Sequence, residues 1–253
     1  MENILDHLVN KIKSAELIDQ PFVHKFIENI FPDEFYENLL LYLPKKEQYT
    51  AINKTGWVGG NYSPERYVFN LLDENNFNLI EQPKKEFLKN FTNLLISKDL
   101  FNFVTFIFKD QINHRLNNLS NLEIEQIGSS NYKFSVVPML VKDFTKYNLG
   151  AHTDHYEKLV SFLFYLPNNN ELKNIGTALY KPNIKIEDDQ LKQHFSAEDT
   201  KKIFTKIKTC PFIPNSLFIF PRTQNSFHGV EEVNIEKKER NLLQLNYYIK
   251  KNS

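Results

Sequence analysis

The sequence predicts an α+β fold, with helices concentrated in residues 1–125 and strands in residues 133–250. In the first part, apolar residues recur at helical spacing, beginning with Ile4, Leu5, Leu8, Val9 and Ile12. The second part contains apolar runs rich in β-branched and aromatic residues, each closed by turn residues. No Gly-, Ser- or Pro-rich linker divides the two parts, so we expect one domain over residues 1–253. A separate helical domain is the alternative.

Further helices are predicted before residue 125. One begins at Pro32 and Asp33, where a proline and acidic residues occupy the first turn, and Pro44 ends it. Two more are predicted from their apolar spacing near Leu79–Ile96 and Asp99–Leu119. We expect these helices to pack against one face of an antiparallel sheet.

The strands of the second part are predicted from short apolar runs. The clearest are Val136–Lys142, Lys158–Pro167, Phe218–Phe220 and Leu242–Ile249. A polar insertion over residues 181–209 separates the second run from the third, and a short helix is predicted within it at Ala197–Phe204. The candidate functional residues lie within these predicted strands or at their ends.

The composition excludes several classes of protein. Lys plus Arg equals Asp plus Glu at 31 each, so no overall field attracts nucleic acid or a membrane surface. Cys210 is the only cysteine, which excludes an internal disulfide and a cysteine-based zinc site. The first residues are acidic, unlike a signal peptide, and the longest apolar run is too short to cross a bilayer. We expect a cytoplasmic protein, and its oligomeric state is left open.

A set of potential metal ligands begins at His152-Thr153-Asp154 and is completed by His228. Residues two apart in a strand face the same side, about 6.6 Å from each other along the chain, so His152 and Asp154 are expected to bind one metal together. Two histidines and one carboxylate, with coordination positions left open, form the facial triad typical of Fe(II) oxygenases. Arg240, twelve residues after His228, is expected on the next strand, where it would bind an anionic co-substrate.

Several segments between Ser135 and Lys250 carry a resemblance to a known family: Tyr147–Asp154, Lys158–Pro167, Gly176–Tyr180, Pro214–Phe220, Ser226–Val230 and Arg240. Together they resemble the catalytic core of the 2-oxoglutarate/Fe(II)-dependent dioxygenases, in the prolyl-hydroxylase-like branch. The resemblance implies a double-stranded β-helix (jelly-roll) core, buttressed here by the N-terminal helices. The frequent phenylalanines, 22 in all, suit the filled interior of such a core.

The resemblance also implies a ligand set. Fe(II) would be bound by His152, Asp154 and His228, with 2-oxoglutarate and O2 as co-substrates. Arg240 would pair with the distal carboxylate of 2-oxoglutarate. Many relatives place a Ser or Thr two residues after that arginine, but this chain has Leu242 there. Tyr147 and Tyr165 are the two candidates to replace the missing hydroxyl.

Two substrate contacts are expected from the turn-rich segment between residues 50 and 66, namely Trp57 and Arg66. The segment also contains Gly59, Gly60 and Tyr62. We interpret it either as a lid over the substrate, offering an aromatic wall and a cation, or as an ordinary surface loop anchored by a buried tryptophan.

Two further cations are candidates for binding an anionic group of the substrate. Lys158 begins the second core strand close to the metal ligands, and Arg222 lies six residues before His228 in a polar loop. Each could equally be a solvated charge. His155 is expected to point away from Asp154, and the histidines outside the motif, including His24 and His194, are expected at the surface.

These residues predict an Fe(II)- and 2-oxoglutarate-dependent dioxygenase that hydroxylates an unactivated C–H bond of a small metabolite and releases succinate and CO2. Two alternatives stay open. One is a hydroxylase of a protein or peptidyl residue, as in the prolyl hydroxylases. The other is a non-catalytic, cupin-type protein that binds a metal or another ligand. Nucleic acid and membranes are not expected as partners.

Overall fold

The computed structural model describes residues 1–58, 63–191, 194–236 and 238–252. Its α-helices are α1 (Glu2–Ser14), α2 (Asp33–Leu41), α3 (Glu74–Phe77), α4 (Lys84–Leu95), α5 (Lys98–Ile107), α6 (Lys109–Asn117), α7 (Asn121–Ile127) and α8 (Ala197–Ile203). Its strands are β1 (Lys25–Glu28), β2 (Thr50–Ala51), β3 (Arg66–Asn70), β4 (Tyr132–Asp143), β5 (Leu149–His152), β6 (Lys158–Tyr165), β7 (Thr177–Pro182), β8 (Phe204–Cys210), β9 (Ser216–Pro221), β10 (His228–Val230) and β11 (Arg240–Lys251). The fold is therefore mixed, as predicted, with helices before most of the strands.

The strands form two antiparallel sheets. The larger sheet has the order β1-β9-β6-β11-β4-β3-β2, and the smaller has the order β5-β10-β7-β8. Strand β11 lies inside the larger sheet, where it pairs over its whole length with β4 and from Leu242 to Tyr248 with β6. Its side chains alternate between the two faces of the sheet, so β11 contributes both to the hydrophobic core and to the cavity described below.

The outer face of the larger sheet packs against the N-terminal helices. The odd-numbered residues of β11 from Leu243 to Ile249 belong to one hydrophobic core with residues of α1, α4 and α5. The rings of Phe101 on α5 and Tyr247 lie 4.9 Å apart. Burying each such side chain contributes on the order of 2 kcal/mol to stability. The helices thus hold the sheet from one side, as expected.

The N-terminal part, which is mainly helical, also contributes short strands. Strand β1 pairs with β9, and β3 pairs with β4, so this part of the chain completes the larger sheet. These strands have only four or five residues, too few for a clear two-residue periodicity. One consequence is that both halves of the sequence share a single sheet.

Two predicted helices are shorter than expected. The helix predicted near Leu79–Ile96 begins only at Lys84, directly after Pro83. The helix predicted over Asp99–Leu119 divides at Phe108 into α5 and α6.

Among the described residues, none of the helices combines the length and hydropathy that crossing a membrane requires.

His24 lies in the protein interior, not at the surface as expected. Its ring packs between Phe22 and Phe218, with ring centres 5.6 and 5.5 Å away. Nδ1 donates to the carbonyl of Phe22 over 2.7 Å, while Nε2 has no partner among the described residues. Burial lowers the pKa of His24 from 6.5 to about 4, so the ring is neutral in the folded protein at pH 7.

We expect the free energy of unfolding of the metal-free protein to fall as the pH drops from about 6.5 to about 4. The unfolded chain binds a proton at His24 near pH 6.5, whereas the folded chain does so only near pH 4, so acid favours unfolding. The shift corresponds to about 3 kcal/mol over this range. Urea denaturation at several pH values measures it.

The control for that experiment is His114, which is exposed on α6. His24→Leu should lessen the pH dependence of stability and leave the part due to His152 and His228, whose pKa values burial also lowers. His114→Leu is the matched substitution at an exposed position. Equal pH dependence in wild type and His24→Leu would show that His24 does not carry the effect.

Candidate metal centre

The two histidines of the predicted motif lie side by side on neighbouring strands of the smaller sheet. His152 ends β5 and His228 begins β10, and the two residues are direct partners in the antiparallel ladder. Their ring centres lie 4.4 Å apart. Asp154 follows β5 by two residues in the next loop, instead of lying within the strand as predicted. Ligand atoms of the three side chains all lie within 4.8 Å of one another, and all three residues are buried.

Hydrogen bonds orient both imidazoles. Nδ1 of His152 lies 2.9 Å from the carbonyl oxygen of Gly150, and Nδ1 of His228 lies 2.9 Å from that of Ser226. A carbonyl oxygen only accepts, so in each ring Nδ1 carries the proton. The Nε2 atoms then keep their lone pairs, which is the arrangement found in metal-binding histidines.

The Asp154 carboxylate is held at both oxygens. Lys158 Nζ donates to Oδ1 over 2.6 Å, and Ser161 Oγ donates to Oδ2 over 2.6 Å. Each carboxylate oxygen has two lone pairs, so one remains at each for a metal. Lys158, predicted as a substrate contact, therefore also fixes a metal ligand.

The charges of the three ligands suit a divalent cation. Burial alone would raise the pKa of Asp154, but Lys158 and the two histidines outweigh that effect and hold the pKa below its usual value. Burial lowers the pKa of both His152 and His228. Near neutral pH the site thus presents one carboxylate and two neutral imidazoles. Two nitrogens and one oxygen fit Fe(II) bound with open coordination positions.

The loop that carries Asp154 is held from behind by three buried residues, Arg115, Glu123 and Arg222, which we call the Glu123 cluster. Nε of Arg115 lies 3.1 Å from the Glu123 carboxylate, and Nη1 of Arg222 also contacts it. Arg115 donates to the backbone carbonyls of Tyr156 and, over 2.6 Å, of Lys158. Arg222 Nε donates to the carbonyl of Asp154 over 3.3 Å. Three backbone positions of the metal loop are therefore tied to one carboxylate on α7.

The position of Arg222 corrects the prediction that it contacts substrate. It is 1% exposed and pairs with Glu123, which makes it neither a solvated loop charge nor part of the cavity wall. Its guanidinium lies 5.0 Å from the ring centre of Tyr156. Arg222 supports the backbone of the loop that carries Asp154.

A cavity of about 780 Å³ opens beside the three metal ligands and is lined by the inward faces of both sheets. Its volume lies within the usual range for small-molecule sites. His152, Asp154, His228 and Arg240 all contribute to its wall. The cavity therefore joins the candidate metal ligands to the predicted anion-binding arginine.

At one end of the cavity, Arg66, Asp143 and Arg240 are neighbours on adjacent strands; we call them the distal row. Arg66 binds Asp143 through two hydrogen bonds of 2.6 and 2.9 Å, and Arg240 Nη1 donates to Asp143 Oδ2 over 2.7 Å. Arg240 Nε donates to the carbonyl of Ile175 over 2.9 Å. Two guanidinium groups share one carboxylate, which leaves one excess positive charge in a buried place.

The two tyrosines considered as hydroxyl donors lie on opposite sides of the distal row. The ring of Tyr147 stacks on Arg66, with the guanidinium carbon 4.2 Å from the ring centre. The ring centre of Tyr165 lies 5.9 Å from the guanidinium carbon of Arg240, and its hydroxyl donates to Thr177 Oγ1 over 2.6 Å. Burial raises the pKa of Tyr165, so the phenol stays protonated. Leu242, at the departure from the family pattern, is buried beside Tyr165 in the same sheet.

Trp57 is half exposed and lines the cavity together with Arg66. The predicted lid residues Gly59, Gly60 and Tyr62 lie outside the described residues. His155 is exposed and lines the cavity mouth. His194 is exposed, as expected, and its ring centre lies 4.5 Å from that of His152.

Sequence reasoning missed four residues that shape this site: Glu123, Asp143, Ser161 and His194. Glu123 and Asp143 act on residues far away in the chain, and His194 lies in a segment without a motif. Only Ser161 had a usable signal, because it faces the same side of its strand as residues that line the cavity. The other three depend on pairings that a single sequence does not display.

Known structures share this fold, although no protein-family model and no curated protein matches the sequence. The epimerase SnoN in complex with Fe3+, alpha ketoglutarate and nogalamycin RO aligns with a TM-score of 0.50 at 8% identity, covering 96% of this chain and 83% of SnoN. HygX from Streptomyces hygroscopicus, with nickel, 2-oxoglutarate and hygromycin B bound, gives 0.48 at 10% identity over 89% and 82% of the two chains. A Pseudomonas putida prolyl-4-hydroxylase gives 0.46 at 12% identity over 98% and 99%.

The likeness to SnoN shows a shared fold, and the family resemblance drawn from the sequence is confirmed at that level. At the place where the metal ligands were predicted, His152, Asp154 and His228 form a group able to hold a metal ion.

We expect Glu123→Gln to lower the free energy of unfolding by about 3–5 kcal/mol, because it leaves two buried guanidinium groups without a counter-charge. Because the cluster positions the Asp154 loop, Fe(II) affinity should also fall about tenfold. Urea denaturation of the metal-free protein and anaerobic Fe(II) titration measure the two effects. Glu125→Gln, exposed on the same helix, is the control and should change stability by less than about 0.5 kcal/mol. Equal effects of the two substitutions would mean that the cluster does not support the loop.

Proposed function

We propose that the protein is an Fe(II)- and 2-oxoglutarate-dependent dioxygenase that hydroxylates an unactivated C–H bond of a small molecule. The observation that carries this proposal is the combination of a buried two-histidine, one-carboxylate group with a buried excess cation in the same cavity. A metal-binding protein without a keto-acid co-substrate would have no need of the cation. A non-catalytic binding protein would need neither group.

The strand order supports a jelly-roll interpretation of the core. Strands β4 to β11 divide between two antiparallel sheets as β9-β6-β11-β4 and β5-β10-β7-β8. Facing sheets of four strands each, joined in this alternating way, are what an eight-stranded double β-helix requires. Strands β1 and β3 extend the larger sheet, which supports a single catalytic domain over the whole chain.

His152, Asp154 and His228 would bind Fe(II), which when bound supplies the activation of O2 that the hydroxylation requires. The Arg240 guanidinium, on the cavity wall, would bind the distal carboxylate of 2-oxoglutarate through its planar pair of donors. Tyr165 lies beside Arg240, and we propose it as the hydroxyl that replaces the missing Ser or Thr. Tyr147, stacked on Arg66, would act on the other side of the distal row.

The overall reaction balances without a further reductant. One oxygen atom of O2 enters the substrate as a hydroxyl group, and the other enters succinate. 2-Oxoglutarate loses its first carboxylate as CO2 and supplies two of the four electrons that reduce O2, and the C–H bond of the substrate supplies the other two. The chain's own contribution is to hold both co-substrates in a buried cavity, to keep Asp154 ionised through Lys158, and to limit access of water.

The experiment that tests the proposal is an anaerobic titration of the Fe(II)-loaded protein with 2-oxoglutarate. We expect the weak visible charge-transfer band of a chelated keto acid to appear and to saturate. Asp154→Ala and His228→Ala should each abolish both Fe(II) binding and the band. Fe(II) binding without the band would favour a cupin-type metal protein. If His228→Ala kept both Fe(II) binding and the band, His228 would not be a metal ligand and the proposed triad would be wrong.

A second experiment isolates the distal carboxylate. We expect Arg240→Gln to raise the dissociation constant for 2-oxoglutarate about ten- to a hundredfold, the effect of losing a charged hydrogen bond. Fe(II) affinity should stay unchanged, because Arg240 does not contact the three ligands. Titration of the charge-transfer band gives both constants. Unchanged 2-oxoglutarate affinity in Arg240→Gln would mean that the carboxylate binds elsewhere.

A further inference from the structure

Strand β11 presents three consecutive inward positions to the cavity, occupied by Gln244, Asn246 and Tyr248, which we call the polar strip. They follow Arg240 and Leu242 on the same face of the strand. Their side chains make the part of the cavity wall near the metal ligands polar. Asn246 is the direct partner of Ser161 on β6, and Ser161 binds the Asp154 carboxylate. A molecule bound at the polar strip would therefore lie beside the metal centre.

The polar strip has unused hydrogen-bonding capacity. Asn246 is 2% exposed, and its Oδ1 is buried without a partner among the described residues. The side chains of Gln244 and Tyr248 likewise make no hydrogen bond to another described residue. Buried polar groups in native proteins are nearly always paired, so an unpaired one that faces a cavity indicates a ligand.

The charged groups around the polar strip are already paired. Lys158 binds Asp154, and Lys250 lies 3.7 Å from Glu157 at the cavity mouth. Arg66 and Arg240 share Asp143 in the distal row. The groups still available for a substrate are thus neutral, and each amide or phenol both donates and accepts. Hydroxyl groups match such partners, whereas an ionised substrate would meet no uncommitted countercharge on the strip.

We propose that the substrate is a neutral polyhydroxylated molecule of the saccharide class, bound through its hydroxyl groups to Gln244, Asn246 and Tyr248. Inward positions two residues apart are about 6.6 Å from each other, so the strip spans about 13 Å. That length exceeds a single sugar ring and suits an oligosaccharide or a sugar-bearing molecule. Trp57, half exposed on the cavity wall, offers a flat apolar face for the C–H side of a sugar ring.

This inference rests on the proposed function for its chemistry, but binding can be tested without turnover. The Fe(II)- and 2-oxoglutarate-loaded protein, kept anaerobic, is titrated with a panel of neutral mono-, di- and trisaccharides and with a proline-containing peptide. Perturbation of the charge-transfer band and a rise in Tm report binding. Succinate release after admission of O2 then reports productive binding. Absence of the charge-transfer band before any addition would be a failure of the proposed function, not of this inference.

We expect at least one saccharide to perturb the band and to raise succinate release about tenfold. Asn246→Leu and Gln244→Leu should each weaken that saccharide about tenfold while leaving 2-oxoglutarate affinity unchanged. Because Asn246 Oδ1 has no hydrogen-bond partner among the described residues, leucine there should not lower Tm, which separates a binding role from a structural one. Asn241→Leu is the matched control, since Asn241 lies on the same strand but binds Lys142 outside the cavity.

Three results would overturn the inference. One is a normal charge-transfer band that no saccharide perturbs. Another is perturbation by the proline-containing peptide alone, which would make the substrate peptidyl. The last is saccharide binding that survives unchanged in both Asn246→Leu and Gln244→Leu, which would locate the sugar away from the polar strip.

Discussion

The arrangement of the metal centre depends on one buried carboxylate that belongs to neither sheet. Glu123 pairs with both Arg115 and Arg222, and these two arginines bind the carbonyls of Asp154, Tyr156 and Lys158. Without the carboxylate, two guanidinium groups would be buried without compensation, at a cost of several kcal/mol. The loop geometry that brings Asp154 to the two histidines is thus maintained by a helix that precedes the strands of the site. Helix α7 therefore supports the candidate metal centre in addition to packing against the core.

Strand β11 connects the remaining parts of the site. Its odd-numbered residues, such as Leu245 and Tyr247, are buried against the helices, which fixes its register in the larger sheet. Its even-numbered residues then face the cavity in a fixed order, from Arg240 to Lys250. A shift of register by one residue would move Arg240 and Asn246 out of the cavity together. The hydrophobic core and the binding surface are therefore two faces of the same twelve residues.

Much of this arrangement could be predicted from local sequence, and the remainder could not for a definite reason. The metal ligands and the longer strands follow from short motifs and apolar runs, which depend on neighbours in sequence. From the sequence, Arg222 is either a substrate contact or a solvated loop charge, because its counter-charge, Glu123, lies 99 residues earlier. Asp143 pairs with Arg66 and Arg240, at separations of 77 and 97 residues. Contacts over such separations can be predicted only when the strand pairing is known. Strands as short as β1 and β3 have too few residues for that pairing to be predicted from the sequence.

The difference in exposure between the two ends of β11 has a kinetic consequence. Arg240 is 1% exposed at one end of the strand, whereas Lys250 is exposed at the other. Under the proposed function, a keto acid that enters from the exposed end of β11 passes the polar strip to reach its arginine, and a molecule already seated on the strip would obstruct that path. Binding should therefore follow a compulsory order, with 2-oxoglutarate first and the substrate second. A substrate in excess would then act as an inhibitor at low concentrations of 2-oxoglutarate, a dependence imposed by the depth of the cavity.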